Sequence, residues 1–132
     1  MAAPRVLGPS DGHFAILGGT SARFMIEGAN TGKRLALVEH PMQPRALAAP
    51  MHRHHREDDG RRPGPNMEII SPAGFENYFR ELGAELLNGA PDPQRLAALC
   101  ASYELDMDLS SVPSLIQRFG VRFPGGPPQQ VR

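Results

Sequence analysis

The sequence predicts a mainly β domain with helices at its C-terminal end. Short apolar or alternating segments, separated by Gly and Pro, fill roughly the first 60 residues. Two segments with helical periodicity follow, and each begins with a capping residue next to a proline. Gly and Pro number 14 each among 132 residues, a composition that suits short strands and turns better than a helical bundle.

Clusters of helix- and strand-breaking residues divide the chain. We expect a β domain over residues 1 to 71, with a Pro-, Gly- and Arg-rich loop at 60 to 66. A helical pair over 72 to 104 and a partly disordered tail over 105 to 132 complete the prediction. Within that tail, SSVPSLIQRFGVRF is compatible with a short docked helix.

Three segments of the β domain predict strands. HFAILGG is a short apolar run that ends at two glycines. ARFMIEG alternates, which places Ala22, Phe24 and Ile26 on one face. KRLALVEH is apolar on both faces, as expected for a strand covered on each side. The GANTGK between the last two predicts a turn, and the three prolines of PMQPRALAAP predict a loop or an edge segment.

Each helix carries its own start signal. Ser71 and Pro72 predict the N-cap and first position of one helix, and Asp92 and Pro93 those of the next. Asn88-Gly89 predicts the end of the first helix. Its apolar stripe consists of five large side chains: Phe75, Tyr78, Phe79, Leu82 and Leu86. We interpret this stripe as ordinary core, with docking on a partner as the alternative.

Charge and apolar segments limit the function classes. Lys plus Arg equals Asp plus Glu at 14 each, so the balance does not indicate nucleic acid or an anionic membrane as a partner. The longest apolar runs fall far short of a membrane span, and the start of the chain lacks the pattern of a secretory signal. We therefore expect a cytoplasmic protein. Cys100 lies on the stripe of the second helix, where a buried inert thiol is expected.

The segment MHRHHREDDG, residues 51 to 60, concentrates metal-ligand types. His52 and His54 share one face if the segment is extended, and His55 points to the other. Two neutral imidazoles on one face begin a transition-metal site, and one of the three acids that follow can complete it. The alternative is a solvated loop whose arginines and acids form weak surface ion pairs. His13 and His40 are isolated, and we expect surface or hydrogen-bonded roles for them.

The stretch APMHRHHREDD resembles the first motif of the cupin superfamily, H-x-H-x(3,4)-E, in small single-domain proteins of the quercetin-dioxygenase-like type. Upstream VLGPSDG, ILGG and EGANTGKRLALVEH agree in order, and so does SPAGFENYFRELG downstream. The resemblance covers residues 4 to 59 and 67 to 104. It implies a divalent metal (Fe, Mn, Ni or Zn) bound by His52, His54 and Asp59 inside a small barrel. Glu57 is the alternative acid.

The second cupin motif, G-x(5)-P-x-G-x(2)-H-x(3)-N, is missing between Asp59 and residue 67, and no histidine follows His55. The resemblance therefore implies an internal deletion, with an incomplete jelly-roll-like barrel or an open sheet plus two helices. In that case KRLALVEH loses neighbours and leaves edges and an apolar face uncovered. The resemblance therefore implies a cupin protein with a degraded or incomplete active site that can still bind a metal. The alternatives are a dioxygenase-like oxidoreductase and a small non-catalytic interaction module.

Two partners are expected from the same reasoning. Uncovered strand edges favour a homodimer, since cupins of this type often associate through edge strands. A small-molecule ligand is compatible with a barrel remnant. The substrate itself lies beyond what the sequence indicates.

Overall fold

A computed structural model describes residues 6–54, 66–89 and 92–122 of the chain. The described part contains an open antiparallel sheet, a two-stranded ribbon and three helices. Its six strands are β1 His13–Ile16, β2 Ser21–Ile26, β3 Ala36–His40, β4 Met51–His54, β5 Asn66–Ile70 and β6 Leu105–Asp108. Its helices are α1 Glu76–Leu86, α2 Pro93–Ser102 and α3 Val112–Phe119. The open sheet and the helices toward the C-terminal end agree with the prediction, but the described residues form a mixed α/β fold, not a mainly β one.

The four-stranded sheet has the order β1-β2-β3-β5, and β4 pairs with β6 in a separate antiparallel ribbon. β3 is therefore a central strand, hydrogen-bonded to β2 on one side and to β5 on the other. The expectation that this strand loses its neighbours is wrong. The segment after the apparent deletion, NMEII, supplies β5 and pairs with the whole of β3.

One predicted face assignment on β2 is wrong. Phe24 pairs with Val38 as the alternation requires, but a β-bulge shifts the register so that Ile26 pairs with Leu37. Leu37 and Val38 lie on opposite faces of β3. Ile26 therefore faces away from Phe24, because the extra residue reverses the alternation after the bulge.

The first helix begins later than its sequence signal. Ser71 does not cap it; its hydroxyl donates to the Arg34 carbonyl at 3.1 Å. Gly74 has a φ of +147°, a conformation that ends any helical path from Pro72. Helix α1 starts at Glu76, whose buried carboxylate accepts from the Gly74 N–H. Long-range contacts of this turn thus override the local Ser-Pro signal.

The second helix follows its sequence signal. The Asp92 carboxylate accepts hydrogen bonds from the backbone N–H groups of Gln94 and Arg95, at 2.7 and 3.1 Å, and Pro93 occupies the first turn. Before it, Gly89 has a φ of +106° just beyond the end of α1. The predicted N-cap of α2 is confirmed.

The core forms on one face of the sheet, under α1. A first cluster lines this inner face: Ala15, Leu17, Ala22, Phe24, Ala36, Val38 and Ile70. A second cluster joins α1, α2 and β6: Tyr78, Leu99, Cys100 and Leu105. Three side chains of the α1 stripe, Phe75, Phe79 and Leu82, pack against both clusters. The interpretation of the stripe as ordinary core is confirmed.

The segment predicted as a tail contains regular structure. It includes β6, which pairs with β4, and α3, which lies in the stretch compatible with a short helix; the described residues thus contain three helices, one more than the predicted pair. Backbone hydrogen bonds of 2.7 Å tie Arg122 to Arg45 and Leu47 in the loop before β4. These pairings join residues some 75 positions apart in sequence, which local patterns do not reveal.

Candidate functional site

Strand β4 carries the first part of the predicted metal motif. Its antiparallel register with β6 places His52 opposite Met107 and His54 opposite Leu105. The extended backbone that the two-histidine prediction requires is therefore present. Positions 52 and 54 are alternate positions of one strand, paired to a neighbour along its full length.

The backbone fixes the tautomer of His52. Its Nδ1 lies 2.8 Å from the Pro50 carbonyl oxygen, which can only accept a hydrogen bond. Nδ1 therefore carries the hydrogen, and the lone pair of the neutral ring is on Nε2. A histidine that donates one ring N–H to a backbone carbonyl is typical of metal ligands, since that bond orients the ring. His52 is an exposed residue.

The other predicted ligands lie outside the described part of the chain. This holds for the side chain of His54 and for Asp59, Glu57 and His55. Within residues 6–54, 66–89 and 92–122, no three His, Cys, Asp or Glu side chains cluster closely enough to bind a metal ion. The site with His52, His54 and Asp59 stays a prediction.

The ribbon that carries His52 rests on the second core cluster. Leu105, opposite position 54, is 6% exposed and packs with Tyr78, Leu99 and Cys100. Met107, opposite His52, packs against the edge of the same cluster. The strand of the histidines is thus held by core packing through β6.

His40 has the hydrogen-bonded role expected for it. Its Nε2 lies 3.0 Å from the Glu68 carboxylate and its Nδ1 3.2 Å from the Ser21 carbonyl. The ring meets Phe79 edge-on at 4.7 Å between centroids. Since both partners of the ring are acceptors, the ring makes both hydrogen bonds only when both nitrogens carry hydrogen, as imidazolium. His13 is a surface residue, 77% exposed in its side chain and 3.4 Å from the Glu27 carboxylate.

Cys100 is buried in the second core cluster, with its Sγ 4.0 Å from the Tyr78 hydroxyl. Burial raises the pKa of the Cys100 thiol, and burial followed by the thiol itself raises the pKa of Tyr78. A thiol that resists ionisation is a poor nucleophile. The prediction of an inert cysteine agrees with this environment.

The hydroxyls of Ser71, Ser102 and Ser110 all donate hydrogen bonds. Ser102 donates to the Ala98 carbonyl at 2.9 Å, and Ser110 donates to the Asp108 carboxylate. Ser71 donates to Arg34, as described above. The bonds of Ser102 and Ser110 stay within one helix or turn, whereas the bond of Ser71 reaches a carbonyl 37 positions earlier in the chain.

The face of the sheet opposite α1 exposes large apolar side chains, which the sequence analysis did not identify individually. We call it the outer face and define it by its five exposed apolar residues. These are Phe14 at 46%, Ile16 at 57%, Ile26 at 37%, Met67 at 58% and Ile69 at 63% exposure. Alternation along NMEII is the available signal, but both of its faces are partly apolar. Only the placement of α1 shows which face the described residues leave largely exposed.

A surface groove of about 400 Å³ runs between α1 and α2. It is lined largely by charged and small side chains, and Glu85 and Arg95 form an exposed ion pair of 3.5 Å within it. A lining of mixed polar and apolar character without an aromatic side chain lacks the mainly apolar wall that is typical of small-molecule sites.

No helix in the described ranges combines the length and the apolar character needed to cross a membrane. Comparison of the chain with protein-family models, with curated proteins and with solved structures finds no match.

Proposed function

We propose that this chain is a cupin-related metal-binding protein whose active site is incomplete. The observation that supports this most directly is the state of His52, held on an extended strand with its Nδ1 hydrogen donated to the Pro50 carbonyl. This tautomer presents Nε2 as the coordinating atom. The open sheet supports an incomplete barrel as its scaffold.

The proposed ligand set follows the motif. His52, His54 and Asp59 would bind a divalent transition metal, Fe, Mn, Ni or Zn, with Glu57 as the alternative acid. Two imidazoles and one carboxylate leave open coordination positions, where the metal would act as a Lewis acid or bind a small-molecule ligand. Because His52 is exposed and the second motif is missing, we favour metal binding without turnover over a dioxygenase-like reaction.

Metal analysis tests this proposal. The purified chain, loaded separately with Zn²⁺, Mn²⁺, Ni²⁺ and anaerobic Fe²⁺ and then desalted, should retain near-stoichiometric amounts of at least one metal. His52→Ala and His54→Ala should abolish retention, whereas His13→Ala, which alters an exposed histidine outside the motif, should not. Comparing Asp59→Asn with Glu57→Gln identifies the acid. The proposal fails if none of the four metals is retained, or if His52→Ala retains as much as the parent chain.

A second candidate function is a small interaction module, and the uncovered apolar outer face favours it. The proposed partner is a second copy of the chain. The sequence predicts that two copies pair through exposed strand edges. In the four-stranded sheet the outermost strands are β1 and β5, so their edges would form the contact. Light scattering coupled to size-exclusion chromatography tests association: a chain that stays monomeric at micromolar concentrations would rule it out.

A further inference from the structure

We propose that His52 and Met107 form a binding site for a soft monovalent metal ion, copper(I). This inference deepens the proposed metal binding and rests on it in one respect, because it takes His52 as a metal ligand. It differs in the second ligand, which is a thioether in place of the motif's carboxylate. The observation that carries it is the pairing of β4 with β6, a strand that lies outside the histidine motif.

The two side chains lie on the same face of the β4–β6 ribbon. The antiparallel register places His52 directly opposite Met107. Residues opposite each other in such a pair have Cβ atoms about 4.5–5.5 Å apart and point to the same side. Nitrogen and sulfur ligands lie about 2.0–2.3 Å from a metal such as zinc, so donors on side chains this close can bind one ion together.

The two donors suit copper(I). The Nδ1 of His52 donates to the Pro50 carbonyl at 2.8 Å, so Nε2 is the coordinating atom of the neutral ring. Met107 contributes a thioether sulfur, which has no proton to lose. Thioether sulfur is a soft ligand that selects Cu(I), and imidazole also binds copper, whereas carboxylate oxygens suit harder ions.

The surroundings of the pair favour an ion of low charge. Leu105, two positions before Met107 on the same face of β6, is 6% exposed in the second core cluster. Met107 is half-buried and packs against the edge of that cluster, and His52 is exposed. The sulfur thus has an apolar surrounding, and the imidazole is accessible to an ion from solvent. Removing a monovalent ion from water costs less than removing a divalent one.

A half-buried methionine at this position also has a packing role, since methionine fills irregular gaps in cores. Met107→Leu separates the two roles, because leucine keeps the apolar volume and removes the sulfur. Met67→Leu is the matched control. Met67 is 58% exposed on β5, which belongs to the other sheet.

Anaerobic competition with the chromogenic Cu(I) chelator bicinchoninate measures the affinity of the full chain for Cu(I). The wild type should bind one ion. His52→Ala and Met107→Leu should each weaken binding at least about tenfold, whereas Met67→Leu and Asp59→Asn should change it by less than about twofold. NMR of ¹³C-labelled methionine methyl groups gives a second readout. Cu(I) should shift the methyl resonance of Met107, identified by its absence in Met107→Leu, and leave that of Met67 in place.

Each result has a distinct meaning. A Met107 methyl resonance that does not respond to Cu(I), or an unchanged affinity in Met107→Leu, overturns this inference. Equal weakening by Asp59→Asn also overturns it, because the carboxylate then belongs to the site. Retention of a divalent metal that depends on Asp59 and not on Met107 leaves the proposed function standing without this site. Cu(I) binding without any divalent retention supports this site and overturns the proposed divalent ligand set.

Discussion

Arg23 and Glu39 meet across β2 and β3, with 2.9 Å between the guanidinium Nη1 and the carboxylate Oε2. The Arg23 side chain is only 7% exposed although its strand position faces outward. Its Nε donates to the Asp11 carbonyl at 2.8 Å, and its Nη2 donates to the Gly8 carbonyl. One guanidinium thus joins β3 to the loop that precedes β1, and that loop shields it from water.

Replacing Arg23 should therefore destabilise the fold. Arg23→Met removes the guanidinium donor of the Glu39 carboxylate and the Asp11 carbonyl, and leaves the Gly8 carbonyl with the Asp11 N–H alone, so we expect a loss of about 2–4 kcal/mol of unfolding free energy. Urea denaturation measures it. Arg95→Met is the control: its side chain is 72% exposed and pairs with Glu85 at 3.5 Å, so about 0–1 kcal/mol is expected. Equal losses in the two variants would contradict the structural role of Arg23.

Glu76 holds the turn after β2 against the start of α1. It is 4% exposed, and its carboxylate accepts from the backbone N–H groups of Gly28 at 3.1 Å and of Gly74. In Glu76→Gln one acceptor oxygen becomes a donor NH₂ directed at a buried N–H. We expect a loss of about 1–3 kcal/mol in thermal or urea unfolding. Glu85→Gln on the same helix, which alters only the exposed pair with Arg95, should change stability by less than about 1 kcal/mol.

Helix α1 contacts strand β1 at Gly83, the one residue type without a side chain. A Cβ added at Gly83 would lie 2.9 Å from the Ala15 Cβ and 3.4 Å from its Cα. Gly83→Ala should therefore push α1 away from β1 and cost about 1–3 kcal/mol, although alanine favours a helix. Ala15→Gly removes the methyl group that the new Cβ meets. In a double-mutant cycle the pair should lose less than the sum of the single changes, by about 1 kcal/mol. Strict additivity would show that the close approach is not limiting.

Alkaline pH should weaken the fold through its tyrosines. Burial, followed by the hydrogen bond to Glu81, raises the pKa of Tyr103 to about 12 from an ordinary 10. The folded state then holds this proton more tightly than the unfolded state. The stabilisation is complete below pH 10 and is lost as pH rises toward 12. Burial raises the pKa of Tyr78 in the same direction.

Unfolding measured from pH 8 to 12 tests this linkage. In Tyr103→Phe the decline above pH 10 should be shallower than in the wild type, since only the linkage of Tyr78 remains of the two tyrosines. The difference in stability between the two chains should be constant up to about pH 9 and shrink beyond pH 10. A difference that stays constant to pH 12 would exclude Tyr103 as a source of alkaline sensitivity.

Part of the candidate site follows from sequence alone. The metal interpretation required an extended histidine segment, with a solvated loop as the alternative, and β4 includes His52 and His54. The tautomer of His52 could not be predicted from the sequence, because it depends on the position of the Pro50 carbonyl in the segment before β4. The same holds for His40: the sequence showed an isolated histidine, and only strand pairing and α1 brought Glu68 and Phe79 to its ring.

What the sequence by itself determined is local. The Asp92 cap, the turn at Gly32 and the helical stripe of Phe75, Phe79 and Leu82 depend on interactions within a few residues, which residue type and spacing encode. Tertiary structure decided the pairing of β3 with β5, the delayed start of α1 at Glu76 and the uncovered outer face. These depend on which distant segments meet. Contacts over such separations are selected by the packing of the whole chain, so no local pattern specifies them.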